Sequence, residues 1–105
     1  MHESHGVLIF SEKEVKSCLP MKDAINAVRQ AYVAFAEGRV AMPPVVHLCV
    51  EKYNGEIDVK TGYVEDFQLI STKIASGFYD NPKIDLPSGV AVVILWTRKL
   101  ACPWR

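Results

Sequence analysis

The sequence predicts an α+β domain in which one short and one long N-terminal helix cover a mixed, mostly antiparallel sheet. Three observations carry that expectation. Apolar residues recur at helical spacing only before Gly38, and they alternate at the period of a strand only after Met42-Pro43-Pro44. The last well-patterned run, Gly89 to Trp96 (GVAVVILW), is apolar on both faces, which predicts a central strand covered on each side.

In chain order, Val7-Leu8-Ile9-Phe10 is a short apolar run that reads as an opening strand. Ser11 and Glu14 have the Ser-x-x-Glu spacing of a capping box, in which the serine oxygen and the glutamate each satisfy an unpaired backbone N–H. A short helix over about 12–18 follows, and Leu19-Pro20 ends it because the residue before proline avoids the α region. A longer helix begins at Met21. Its inner stripe is Ala24, Ile25, Val28, Ala31, Tyr32, Phe35 and Ala36, at three- and four-residue steps, and Gly38 is placed for a left-handed cap.

Pro43-Pro44 can be neither helix interior nor central strand. Val45 to Val50 then reads as a strand containing His47. Glu51 to Gly55 reads as a hairpin turn in which Asn54-Gly55 supply the residues tolerant of positive φ. In the next strand Ile57, Val59, Thr61 and Tyr63 alternate with Glu56, Asp58, Lys60 and Gly62. One face packs, and the other is polar or lines a cavity. After Val64 to Phe67, a strand over 68–75 places Ile70, Thr72 and Ile74 on one face and Leu69, Ser71, Lys73 and Ala75 on the other. Residues 76–88 read as a loop and 97–105 show no periodicity.

Composition narrows the function classes. A chain of 105 residues, half of them apolar, is long enough for one domain with a modest core and too apolar to be disordered by default. Twelve basic residues balance twelve acidic ones, so no basic field attracts nucleic acid or an anionic membrane surface. No apolar run approaches the roughly 20 residues that span a bilayer. Met1 to Gly6 lack the basic and apolar regions of a signal peptide. Cys18, Cys49 and Cys102 fit neither a disulfide framework nor a zinc-ligand spacing. They read as reduced, partly buried thiols of a cytoplasmic protein. His2 and His5 read as part of a frayed terminus.

The segments GEIDVKTGYV, TKIASGFYDNPK and LPSG, preceded by VLIFSEKEVKSCLPMKDAINAVRQAYVAFAEGRVAMPP, resemble the N-terminal domain of the ornithine cyclodeaminase/mu-crystallin family. The similarity runs from about Val7 to Leu95. It implies a substrate-binding and dimerisation domain whose sheets pair between two subunits. Complete members of that family look like two-domain NAD(P)-dependent enzymes acting on amino or imino acids, with the nucleotide on a following Rossmann domain. Gly-x-Gly-x-x-Gly is absent from the 105 residues, and Gly55, Gly62, Gly77 and Gly89 are isolated. Residues 1–105 are therefore expected to be a single truncated N-terminal domain that holds no cofactor alone. A homodimer or higher oligomer is the expected assembly, with a small amino acid or carboxylate as ligand. The family's second carboxylate-binding arginine and its acid/base aspartate would lie beyond this stretch, and Arg105 is not that arginine.

Three residues are candidates for binding, and no residue is singled out as catalytic. Lys73 matches the lysine of the family's Thr-Lys strand, beside the substrate carboxylate. From the residues alone it reads as a lysine on a solvated strand face, because mid-strand lysines commonly mark edges and an ammonium facing a pocket is costly unless an anion meets it. The family's first carboxylate-binding arginine falls near Val45 counted from Pro43-Pro44, or at His47 counted from the strand end. Neither is arginine, and histidine lacks the flat bidentate fork. Lys60 lines the same cavity by resemblance, or pairs with Glu56 or Asp58 at the surface. Ser76 to Pro82 edge the pocket, or form an ordinary Asn-Pro turn. Two functions follow: the substrate-binding half of an amino-acid deaminase or dehydrogenase, inactive alone, or a stand-alone oligomerising module that binds a small carboxylate or a protein.

Overall fold

The computed structural model describes residues 6–97. Helix α1 spans Glu12–Cys18 and helix α2 Met21–Ala36. The capping box of α1 is complete: Glu14 N–H donates to Ser11 Oγ at 3.2 Å, and Ser11 N–H donates to Glu14 Oε2 at 2.9 Å. α2 ends at Gly38, which takes φ 76°. There Gly38 N–H donates to the Phe35 carbonyl and Arg39 N–H to that of Ala34, the two bonds of a Schellman cap.

Five strands follow: β1 (Val40–Ala41), β2 (Val46–Val50), β3 (Gly55–Val64), β4 (Leu69–Phe78) and β5 (Gly89–Thr97). Every pairing among the described residues is antiparallel. β1 and β2 lie along one side of β3, β4 along the other, and β5 lies beyond β4. The connections explain this, since short turns can join only antiparallel neighbours. β2 and β3 are joined by a 3-10 turn, Glu51–Tyr53, closed by Asn54 at φ 48°. β3 and β4 repeat the device with Glu65–Phe67 and Gln68 at φ 52°. Of the Asn54-Gly55 pair only Asn54 is left-handed. Gly55 is needed for a different reason: a Cβ there would run into the Phe78 ring, its cross-strand partner.

Three expectations about the strands are corrected. Val7 to Phe10 are not a strand; they find no ladder partner among the described residues and are exposed. β4 continues to Phe78 instead of ending at Ala75, because the ladder with β3 runs on to Gly55↔Phe78 and absorbs Ser76-Gly77-Phe78. The two-residue β1 has no sequence signal of its own. β5 is not central. It pairs with β4 alone, and Val90, Val92, Val93 and Leu95 are each more than half exposed. Its apolar character therefore marks surface that the other described residues leave open.

The cover given by the helices is narrow. α2 meets the sheet at β3, and its sheltered positions are Ala24, Ala31 and Ala34, the last being the one fully buried residue among those described. Ile25, Val28, Tyr32 and Phe35 of the expected inner stripe stay 50–73% exposed. The accessible area of 8800 Å² compares with about 5,900 Å² for a compact monomer of this mass. The radius of gyration, 16.7 Å, compares with about 13 Å. Both say that the chain leaves its apolar faces open. His2, His5, Cys102 and the 98–105 segment lie outside the described residues. Cys18 and Cys49 are exposed, not partly buried.

Candidate functional site

The β2–β3–β4 ladder decides which side chains can meet. Directly opposed residues share a face of an antiparallel pair. His47 opposes Asp58 and Cys49 opposes Glu56 across β2 and β3, and Lys60 opposes Lys73 across β3 and β4. The alternation along β3 puts Glu56, Asp58 and Lys60 on one face, so all of these groups stand together. The three predicted binding residues, His47, Lys60 and Lys73, are thus brought to one side of the sheet.

His47 is engaged within the chain. Its Nδ1 hydrogen-bonds Asp58 Oδ1, and its Nε2 lies 3.1 Å from Cys49 Sγ and 3.8 Å from Glu56 Oε2. The hydrogen bond to Asp58, then the charge of that carboxylate, raises the imidazole pKa above its ordinary value. Glu56 is held in turn by Tyr79, whose hydroxyl donates to Oε1 at 2.7 Å, and that bond raises the phenol pKa.

The two lysines differ from this network. Lys60 and Lys73 are exposed, and neither forms an ion pair among the described residues. The pairing of Lys60 with Glu56 or Asp58 that its spacing permitted does not form, because Asp58 is turned to His47 and Glu56 to Tyr79. Lys73 is not on an edge strand, since β4 lies between β3 and β5, but its face of the sheet is solvent-exposed. Two ammonium groups thus oppose each other across β3 and β4, an arrangement that costs stability unless an anion joins them. The floor beside them is small: Gly62, Ser71 and Ala75 flank the pair, with Val93 of β5 opposite Lys73.

A shallow groove of about 430 Å³ lies elsewhere, lined by Lys52, Tyr53, Phe78, Asp80, Asn81, Lys83 and Ile84. It is at the Gly55↔Phe78 end of the ladder, five pairs from Lys60↔Lys73. The predicted Ser76 to Pro82 edge therefore borders this groove and not the lysines. No group of three or more metal-ligating side chains is clustered among the described residues. A glycine-rich turn from a strand into a helix, which cradles dinucleotide phosphates, does not occur among the described residues, where both helices precede the strands.

Sequence reasoning missed Asp58, Glu56, Cys49 and Tyr79 as members of the network. Alternation along β3 did signal that Glu56, Asp58 and Lys60 share a face. The β2 register that brings His47 to Asp58, and the reach of Tyr79 across the sheet, had no local signal.

Two helices ahead of an antiparallel sheet form a fold shared with solved oxidoreductases. The Thermococcus litoralis Δ1-pyrroline-2-carboxylate reductase, solved with NADH and L-proline, superposes at TM-score 0.86 with 30% identity, over 92% of this chain and 30% of that one. An archaeal alanine dehydrogenase dimer with bound NAD superposes at 0.79 with 29% identity, over 88% and 28%. A protein of Rhizobium meliloti (strain 1021) named as a dehydrogenase is 40% identical over 92 residues, 87% of this chain and 28% of that one. The profile of the ornithine cyclodeaminase/mu-crystallin family matches residues 7–103, and the chain belongs to that family. It spans under a third of the length of these relatives.

Proposed function

We propose that this chain is the substrate-binding and dimerisation part of an NAD(P)-dependent amino-acid dehydrogenase or deaminase of the cytoplasm. One observation carries the proposal: Lys60 and Lys73 oppose each other across β3 and β4, and neither pairs with an acid among the described residues. Lys73 meets the substrate carboxylate, Lys60 stands beside it, and His47 holds Asp58 by a hydrogen bond so that this carboxylate is turned away from Lys60. The oxidoreductase relatives, one of them solved with L-proline, support an amino- or imino-acid ligand. The exposed lysines and open β5 call for a second surface to enclose the site, and a homodimer supplies one; a structural relative is a dimer.

Alone, the chain binds without turnover, because hydride transfer needs a nucleotide fixed against the substrate and the described residues make no place for one. The test is calorimetric titration with L-proline and L-alanine and with their amides, which lack the carboxylate. The acids should bind, the amides should not, and Lys73→Gln should weaken the acids at least tenfold. A folded chain that ignores the acids would refute the proposal, and turnover on adding NAD would refute the claim of inactivity. The exposed edge of β5 favours a second reading, a non-catalytic oligomerising module for a small carboxylate or a protein partner. Retained oligomers without amino-acid binding would select it.

A further inference from the structure

We infer that the site takes an acidic, dicarboxylic amino or imino acid in preference to a monocarboxylate. The inference rests on the function proposed above and goes further, because it follows from the number of uncompensated charges. The groups facing the lysines from neighbouring positions are few. Asp58, two residues from Lys60 along β3, is hydrogen-bonded to His47. Glu56, four residues away, is bound by Tyr79. At about 3.4 Å per residue it lies roughly 13 Å from Lys60, beyond the screening length at physiological salt. Beside Lys73 on this face, Ser71, Ala75 and Val93 bring no charge, and its diagonal neighbour Asp58 is the carboxylate that His47 holds.

One carboxylate would neutralise one ammonium and leave the other facing it across a cross-strand gap of about 5 Å. A four- or five-carbon diacid can place one carboxylate on each lysine. The α-carboxylate meets Lys73, where the proposed function already puts it, and the side-chain carboxylate meets Lys60. Lys60 is therefore the specificity-determining group and Lys73 the general one.

The experiment titrates L-glutamate, L-aspartate, L-alanine and inorganic phosphate into the wild-type chain and into Lys60→Gln, Lys60→Arg and Lys73→Gln. An added charge-assisted bond is worth roughly tenfold in affinity. An acidic amino acid should bind the wild type at least tenfold tighter than L-alanine. Lys60→Gln should erase that gap by weakening the acidic amino acids at least tenfold more than L-alanine, and Lys60→Arg should keep it. Lys73→Gln should weaken both ligands. Equal affinity for the two classes, or a gap that survives in Lys60→Gln, would overturn the inference and leave the proposed function standing. Phosphate binding as tightly as the diacids would overturn it by showing that charge alone is read. If no amino acid binds, both fail. Lys60→Gln removes a repulsion, so its melting temperature should not fall, which separates lost recognition from lost fold.

Discussion

His47 sits between two carboxylates and a thiol, and its protonation state is tied to the fold. Asp58 raises its pKa in the folded chain above the ordinary value of 6.5. A group whose folded pKa is raised contributes stability that is fully present below the unfolded value and lost as pH rises through the folded one. Urea unfolding should therefore show a midpoint that falls as pH rises above about 6.5. Asp58→Asn should flatten that dependence, and an unchanged slope would show that the contact does not matter. Two glycines offer a contrast at the same scale. Gly55→Ala pushes a methyl into the Phe78 ring and should cost about 1–3 kcal/mol. At Gly62 a Cβ would meet only the Ala41 carbonyl, 4.0 Å away. Gly62→Ala should therefore be neutral or stabilise by about 0.5–1 kcal/mol, by removing chain entropy. Thermal melts of the two variants check both signs.

At the level of elements, what was legible in the sequence was what neighbours in the chain decide. Ser11 and Glu14 announced α1 because a capping box closes within three residues. Gly38 announced the end of α2 because a Schellman cap needs a left-handed residue at that spot. The β3 alternation placed Lys60 among the polar positions before any fold was known. Position within the sheet was not legible. GVAVVILW has the composition of a doubly covered strand, yet β5 lies at the end of the strand order and its apolar faces stay open among the described residues. Val7 to Phe10 made the same false impression, since β-forming residues make a strand only where a ladder receives them. The extra residues of β4 were hidden because Gly77 reads as a turn, while its partner Glu56 keeps it in the ladder. The site divides likewise: Lys60 and Lys73 were found singly, and their opposition is a fact of register.

The whole molecule is an open sheet with a helical arm laid on one part of it. Its accessible area exceeds that of a compact monomer by about 2,900 Å². Light scattering at micromolar concentration should therefore report a dimer or larger species, and a well-behaved monomer would contradict the proposed assembly. Val92→Lys, a charge on the exposed β5 strand, should shift the population toward monomer without unfolding the sheet. No helix among the described residues is long and apolar enough to cross a membrane.

The opposed lysines carry a further consequence for how long the protein survives. Whatever quiets their repulsion also deepens the native well, so occupancy and resistance to proteolysis should rise together. Under the proposed function, abundance in the cell would then follow the supply of the small acid, with starved copies cleared first.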